Sequence, residues 1–266
     1  MRIVVCIKQV PDTTEIKIDP ETNTLIRSGV PSIVNPFDEY ALETAARIKD
    51  ENSDTEIIAI SMGPEQAKTA LKQCLSVGAD KAYLISDRAF GGSDTLATSY
   101  ILSMAIKKIE ELDGKVDIIF CGKQAIDGDT AQVGPEIAEK LDYPQATYVI
   151  EASIQNGCVR VKRETDEFYE IIEMDTPCVV TVTKPYFEPR YPTVKSKMQS
   201  ARAEIPTLSS ADLDVDLAQC GLKGSPTKVK KSFTPSAKNT GITIQEETTE
   251  QTAQLLFNML SEANII

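Results

Sequence analysis

Short apolar runs alternate with longer segments of helical periodicity over the first 145 positions of the chain. The runs show little polar alternation, which predicts strands buried on both faces, as in a parallel sheet. Between them, apolar side chains recur every three or four positions, which predicts amphipathic helices. The predicted strands span residues 2–7, 56–61, 81–85 and 116–121, and the predicted helices span residues 65–77 and 130–141, with one more beginning after Asn35 and another ending at Leu112.

Alternating strands and helices predict an α/β fold with a doubly wound, mostly parallel sheet and right-handed crossovers. In such sheets ligands bind beyond the carboxyl ends of the strands. We therefore expect four turns to lie on one rim, with the helix start at Asn35, a good N-cap residue, within reach. These are the turns that follow Ile7, Ser61, Ile85 and Cys121.

The pattern changes after residue 146. Four strand-like segments follow, and the sequence Gln-Asn-Gly at 155–157 is a strong hairpin turn between the first two. We expect all four to add antiparallel strands to one edge of the sheet; they span residues 147–154, 158–162, 168–174 and 178–182. Residues 15–18 and 24–27, which flank the turn DPETN, predict a further hairpin.

We expect three parts along the chain: an α/β domain over residues 1–184, a loop and short helix over 185–210, and an extended C-terminal arm over 211–266. The middle part is rich in proline and basic residues. It is either a solvated loop or a docking surface for an acidic partner. The arm is weakly patterned until it ends in a helix, which either packs on its own domain or contacts a partner.

Composition narrows the function further. A net charge of −12 argues against a nucleic-acid partner. No apolar run has the length of a membrane span and the N-terminus lacks the features of a signal peptide, so we expect a cytoplasmic protein. The six cysteines are scattered and are expected to be free thiols. The chain has no histidine, which excludes a Ser-His-Asp triad. It has no tryptophan either, so its own side chains are poor candidates for redox chemistry, which would require a cofactor.

The segment GKQAIDGDTAQVGPE, which begins at Gly122, links a predicted strand to a predicted helix. Gly128 is expected to adopt a backbone conformation closed to other residues and to admit a ligand close to the main chain. The N–H groups at the start of the helix would then face an anion. The glycine spacing matches neither the dinucleotide fingerprint nor a P-loop. The segment is therefore either a nucleotide site or an ordinary turn capped by Asp129 or Thr130.

Three further polar patterns have two interpretations each. The sequence GGSDT at residues 91–95 opens a helix and either holds a second phosphate or only caps that helix. Asp127 and Asp129 either form a metal pair or serve as turn and cap residues. Asp38 and Glu39 either act as an acid–base pair or complement the dipole of their helix.

Six segments, in order along nearly the whole chain, resemble the beta subunit of electron transfer flavoprotein. They are CIKQVPD at Cys6, VNPFDEYALE at Val34, SMGP at Ser61, GKQAIDGDTAQVGPE at Gly122, VKRETDEFYEIIEMDTPCVVT at Val161 and EPRYPTVKSKM at Glu188. Two features resemble the electron-bifurcating subgroup. One is AFGGSDTLATS at Ala89, and the other is Gly-Asp-Thr at 128–130, where AMP-binding members have acidic residues and a cysteine.

The resemblance implies an adenine-nucleotide-binding, Rossmann-like fold whose nucleotide site takes FAD in bifurcating members and AMP in others. Carried over position by position, that site comprises Cys6, Asn35, Pro36, Phe37, Asp38, Met62, Gly122, Lys123, Gln124, Ala125, Ile126, Asp127, Gly128, Asp129, Thr130, Ala131, Gln132 and Val133. The flavin or NADH phosphate region is taken to include Gly91, Gly92, Ser93, Asp94 and Thr95.

The resemblance also implies a heterodimer with an alpha subunit. In bifurcating members NADH reduces the beta-subunit FAD, one electron passes to ferredoxin or flavodoxin, and the other passes through the alpha-subunit FAD to an acyl-CoA dehydrogenase-like or other flavin dehydrogenase. The family's recognition loop corresponds to the segment with Val194, Lys195, Lys197 and Met198, which we expect to dock the dehydrogenase. Two alternatives stay open: a nonbifurcating shuttle with structural AMP, and an ATP-cleaving adenylating domain of the same fold class.

Overall fold

The computed structural model describes residues 1–12, 31–230 and 241–266. The strands in these residues are β1 (Arg2–Cys6), β2 (Gln9–Pro11), β3 (Ser32–Val34), β4 (Glu56–Met62), β5 (Lys81–Ile85), β6 (Ile118–Gly122), β7 (Gln145–Gln155), β8 (Cys158–Glu164), β9 (Tyr169–Met174), β10 (Cys178–Val182) and β11 (Thr207–Leu208). Nine of them form one sheet in the order β11-β5-β4-β1-β6-β10-β7-β8-β9, and β2 pairs with β3 separately. The predicted doubly wound, mostly parallel α/β fold is confirmed.

Seven α-helices lie among the described residues. They are α1 (Pro36–Glu51), α2 (Lys68–Val77), α3 (Thr95–Asp113), α4 (Val133–Leu141), α5 (Val194–Arg202), α6 (Gly221–Gly224) and α7 (Thr249–Glu262). Alternate residues of β1 point to opposite faces: Ile3 and Val5 pack in a core with α1 and α2, and Val4 packs in a core with α3 and α4. No helix among the described residues is long and apolar enough to cross a membrane.

The position of β10 corrects the expectation of four antiparallel edge strands. This strand lies between β6 and β7 and is parallel to both, so only β8 and β9 extend the sheet antiparallel. All five residues of β10 are buried, as a central parallel strand requires. Its apolar run, interrupted only by Thr181, was a signal of this position, but its place directly after a hairpin suggested the edge.

Some short elements and element starts also differ from the sequence-based predictions. Residues expected in a turn form β2, and β11 adds an unpredicted parallel strand beside β5. The helix predicted over 65–77 begins with a 3₁₀ turn at Glu65–Ala67. The helix predicted over 130–141 begins only at Val133. The hairpin predicted over 15–18 and 24–27 lies outside the described residues.

The described chain clusters into two compact units, residues 1–12 with 31–230, and residues 241–266. The first unit continues beyond residue 184, because Leu208, Leu213 and Cys220 are buried in a third apolar cluster with Ile85 of β5. The second unit contains α7, which starts with a capping box and has exposed apolar side chains such as Phe257. The described units therefore divide after residue 230.

Candidate functional site

A cleft of about 880 Å³ lies beyond the carboxyl ends of β1, β4, β5 and β6. Its walls are the turns that follow these four strands. Parallel strands bring their carboxyl ends to one edge of a sheet, so turns far apart in the sequence meet there. The prediction that these four turns share one rim is confirmed.

Most of the predicted site residues line this cleft, although their roles stay predictions. The cleft-lining ones are Cys6, Asp38, Met62, Gly91, Gly92, Ser93, Asp94, Thr95, Gly122, Lys123, Gln124, Ala125, Asp127, Gly128, Thr130, Ala131, Gln132 and Val133. The cleft wall does not include Asn35, Pro36, Phe37, Ile126 or Asp129. It does include residues that the sequence-based site omits, among them Lys8, Gln9, Pro11, Pro64, Gln66, Ser86, Asp87 and Arg88. Their signal was their place directly after the strand ends.

A buried polar network ties two of these turns, those after β1 and β6, to the start of α1 under the cleft. The Asp38 carboxylate accepts hydrogen bonds from the Lys8 N–H at 2.7 Å and the Gly122 N–H at 3.2 Å. The Asn35 Nδ2 group donates to Asp38 at 2.9 Å and to the Gln124 carbonyl at 2.8 Å. The Asn35 Oδ1 atom accepts from the Ile126 N–H at 3.1 Å. The network therefore fixes the loop after β6 against the start of α1.

This network corrects the predicted role of Asn35. Its side chain makes no cap hydrogen bond to its own helix. It is fully buried and satisfies groups in a loop about 90 residues further along the chain. A buried amide whose donors and acceptor are all paired fixes one arrangement of the surrounding backbone. Asn35 thus supports the cleft from beneath.

Gly122 stands where α1 and β6 approach most closely. A Cβ atom at this position would lie 2.3 Å from Asp38 Oδ1 and 2.7 Å from both the carbonyl carbon and the Cβ of Phe37. Contacts this short are inside van der Waals distance, so a side chain would force α1 away from the strand. The close approach is also what lets the Asp38 carboxylate reach the Gly122 N–H.

The backbone conformation predicted for Gly128 is wrong, whereas the close approach of a ligand to its main chain stays a prediction. Its φ angle is not positive, and a Cβ atom there would meet nothing within 4 Å. The left-handed conformations occur instead at Asp129, with φ 51°, and Ala131, with φ 54°. Non-glycine residues in this region carry strain and concentrate at ligand sites. The unusual backbone is therefore one to three residues beyond the glycine.

The backbone of residues 130 to 134 lines the cleft. The N–H groups of residues 130 to 134 make no hydrogen bond to any acceptor among the described residues. They precede or begin α4, where the helix dipole also favours negative charge. Successive unpaired N–H groups at a helix start bind phosphate. The segment predicted to bind an anion therefore has the geometry to do so.

Most charged side chains in and around the loop after β6 have a partner nearby. Lys8 Nζ lies 2.6 Å from Asp127 Oδ1, and Gln124 Nε2 donates to Asp129 Oδ1 at 2.7 Å. Lys123 Nζ lies 5.0 Å from the ring centre of Tyr148, a cation–π distance. The two aspartates thus serve as paired turn residues, which confirms the turn part of the second interpretation. The cap part is wrong, because α4 begins after Gln132 and has no side-chain cap hydrogen bond from Asp129 or Thr130.

The GGSDT segment lines the cleft, but much of its polar capacity is already satisfied. The Asp94 carboxylate caps α3 through the Ala97 N–H at 3.1 Å and accepts from the Thr227 N–H at 3.0 Å and hydroxyl at 2.7 Å. The Asp94 N–H donates to Ser225 Oγ at 2.8 Å. The capping interpretation of Asp94 is confirmed, and Ser225 uses the Asp94 N–H, one of the amide groups that were expected to bind a second phosphate.

Burial raises the pKa of the Asp38 carboxyl to about 7, against the opposing effect of its N–H donors. Between pH 4 and 7 the folded protein then binds a proton that the unfolded chain, with an ordinary aspartate pKa, does not. The free energy of unfolding should therefore fall as pH rises through this range, by at most about 1.4 kcal/mol per pH unit from this group.

Urea unfolding of the purified complex at pH 5, 6, 7 and 8 measures this slope. Asp38→Asn is expected to flatten it, whereas Asp54→Asn, at an exposed loop position, should leave it as in the wild type. An identical slope in wild type and Asp38→Asn would show that Asp38 does not take up the proton.

A second surface of interest is formed by the docking segment, defined by Val194, Lys195, Lys197 and Met198. These residues lie on the first turns of α5, which packs on α2. Val194 is 79% exposed and Met198 55% exposed, and both line a shallow groove. Two apolar side chains beside two lysines on an outer helix are typical of a protein contact. The segment is separate from the residues that line the cleft.

Comparison with known proteins identifies the family of this chain. Residues 22–213 match the electron transfer flavoprotein domain. The electron transfer flavoprotein subunit beta of Megasphaera elsdenii is 52% identical over 249 residues, which cover 93% of this chain and 92% of that protein. The chain belongs to the electron transfer flavoprotein family, on its beta-subunit branch. The resemblance in the six sequence segments is thereby confirmed.

Two further relatives of the flavoprotein subunit have different names. The caffeyl-CoA reductase–Etf complex subunit CarD of Acetobacterium woodii is 49% identical over 266 residues, covering all of both chains. The FixA protein of Azorhizobium caulinodans is 45% identical over 242 residues, which cover 90% of this chain and 86% of that protein. These relatives match nine tenths or more of the chain, and the CarD match includes its C-terminal part.

Proposed function

We propose that this chain is the beta subunit of a heterodimeric, electron-bifurcating electron transfer flavoprotein and that its cleft holds FAD. The observation that carries the proposal is the row of amides at residues 130–134, which have no acceptor in residues 1–12, 31–230 and 241–266 and suit the diphosphate of a dinucleotide. The cleft extends from these amides past Lys123 to the GGSDT segment and offers room for more than a mononucleotide.

The residues around the cleft fit the cofactor by binding and shaping rather than by reacting with it. The amides of residues 130–134 would hold the diphosphate, and Lys123 would add a positive charge beside it. Asn35 and Asp38 would keep the loop in place. When bound, FAD supplies hydride acceptance from NADH and release of electrons one at a time. The chain itself contributes position and electrostatics.

Two comparisons favour the bifurcating type over an AMP-containing shuttle. Gly-Asp-Thr at 128–130 differs from the acidic and cysteine residues of AMP-binding members. The CarD relative, by its name, works in a complex with a CoA-ester reductase. An alpha subunit, a flavin dehydrogenase and ferredoxin or flavodoxin are the partners that this function requires.

The test uses the chain coexpressed with its alpha subunit. Under anaerobic conditions NADH should reduce ferredoxin only when a dehydrogenase and its enoyl-CoA-type acceptor are also present, because the two electron transfers are coupled. Reduction of the flavin by NADH without any ferredoxin reduction would reject bifurcation. No reduction of the flavin by NADH would favour the AMP-containing shuttle.

We propose that the docking segment contacts the dehydrogenase. Val194→Asp places a charge in the centre of its apolar contact and should lower the rate of electron transfer to the dehydrogenase at least about tenfold. Flavin content and NADH oxidation by an artificial dye should stay unchanged, because Val194 lies outside the cleft. Equal loss of both activities would indicate a folding defect, and no loss would exclude this segment.

A further inference from the structure

Residues 185–193, which lead into α5, contact α1 through two side chains of the segment: the Phe187 ring, whose centre lies 4.4 Å from the Arg47 guanidinium, and Arg190, which pairs with carboxylates of α1. The Arg190 guanidinium donates to Glu43 through Nε at 2.8 Å and Nη2 at 3.1 Å, and the Arg190 backbone N–H also reaches Glu43 at 3.1 Å. The same guanidinium lies 2.7 Å from Asp50 Oδ2. One side chain thus joins the loop to two carboxylates spaced two turns apart on α1.

Burial makes this contact specific to arginine. The Glu43 side chain is only 6% exposed, so its carboxylate has little access to water and depends on the guanidinium for its partners. A planar guanidinium binds a carboxylate through two parallel N–H groups, which fixes direction as well as distance. A lysine ammonium would keep the charge but would lose the fork.

The fastening point lies directly before the docking segment. Between Arg190 and Val194 the chain has only three residues, and Thr193 caps α5 in a capping box with Ser196. The far end of α5 is held as well, since Lys72 Nζ donates to the Ala201 carbonyl at 2.9 Å. The docking segment is therefore presented between two anchors on the α1–α2 face.

We propose that Arg190 is a positioning residue for partner docking, which sets the docking segment in its binding-ready arrangement through Glu43 and Asp50. This inference rests on the proposed docking function of that segment. The Arg190 guanidinium is already paired with both Glu43 and Asp50, so its role in docking is to hold the loop. Pre-organisation of this kind lowers the ordering cost of binding and leaves the bound contacts unchanged.

The test compares Arg190→Ala and Arg190→Lys with wild type in the complex with the alpha subunit. The probe is an acyl-CoA dehydrogenase that the wild-type complex is shown to reduce. Arg190→Ala should raise the dehydrogenase concentration for half-maximal rate about tenfold, with the maximal rate within twofold of wild type, and Arg190→Lys should be intermediate. Arg160→Ala is the matched control, because Arg160 is paired with Glu173 across β8 and β9, outside α1 and α5.

Amide hydrogen exchange in the same complexes reports the arrangement directly. Faster exchange confined to residues 186–200 in Arg190→Ala, with flavin content and dye reduction as in wild type, is the expected result. An unchanged half-saturating concentration would overturn the inference, as would a parallel fall of flavin content and dye reduction. The Val194→Asp variant keeps the two proposals apart: if it docks normally, the docking function fails whatever the Arg190 variants do.

Discussion

Replacing Gly122 by alanine is expected to lower the free energy of unfolding by at least about 3 kcal/mol, the upper range for overpacking a rigid site. The new Cβ would lie 2.3 Å from Asp38 Oδ1 and 2.7 Å from the backbone of Phe37, and a backbone neighbour has little freedom to retreat. Relief of the clash requires α1 to move away from β6, which would break the Asp38 hydrogen bond to Gly122.

Gly128→Ala is the matched control, since it changes a glycine in the same loop where an added Cβ meets nothing within 4 Å. Urea unfolding of both variants, with the bound nucleotide measured on the same samples, gives the comparison. The Gly128 variant should stay within about 0.5 kcal/mol of wild type. Equal stability of the Gly122 variant and wild type would mean that the approach of α1 to β6 is looser than described.

Replacing Asn35 by leucine is expected to cost at least about 3 kcal/mol and to empty the cleft of nucleotide. The leucine has a similar volume but leaves the Gln124 carbonyl and the Ile126 N–H without partners in a buried place. Each buried polar group left unpaired costs about 1–3 kcal/mol. The loop after β6 is then free to shift, and the amide row at residues 130–134 moves with it.

Asn52→Leu is a suitable control at the other end of α1. Asn52 also donates through Nδ2 to a backbone carbonyl, that of Ile48 at 3.0 Å, but it is exposed. This change should cost less than about 1 kcal/mol and leave the nucleotide in place. Retention of nucleotide in the Asn35 variant would show that the loop is held by other contacts.

The rim of the sheet could be predicted from the sequence because it follows from a general rule. Alternating strands and helices imply a parallel sheet, and a parallel sheet brings the turns after Ile7, Ser61, Ile85 and Cys121 together. The amides at the start of α4 followed from the same reasoning. These features depend on local pattern and topology, both of which are visible in one chain.

The roles of individual residues inside that rim could not be predicted in the same way. Gly128 was chosen because it lies in the turn, whereas Gly122 is constrained by Asp38 and Phe37, more than 80 residues earlier in the chain. Asn35 has the sequence signature of an N-cap, yet its partners are in the loop after β6. Contacts across such distances are properties of the fold.

The edge position predicted for β10 was wrong for a related reason. The segment that forms β10 follows a hairpin, and the short path along the sequence favoured an edge position. The chain instead returns to place β10 between β6 and β7, where all five of its residues are buried. Its lack of polar alternation was the better guide.

Nucleotide extracted from the purified heterodimer tests the central claim most directly. After denaturation, chromatography against standards gives the amounts of FAD and AMP per dimer, and a Gly122→Ala heterodimer shows which of them belongs to the cleft of this chain. The account predicts two FAD per wild-type dimer, one of which is lost in the variant while the alpha-subunit FAD stays. One FAD and one AMP per wild-type dimer would contradict it.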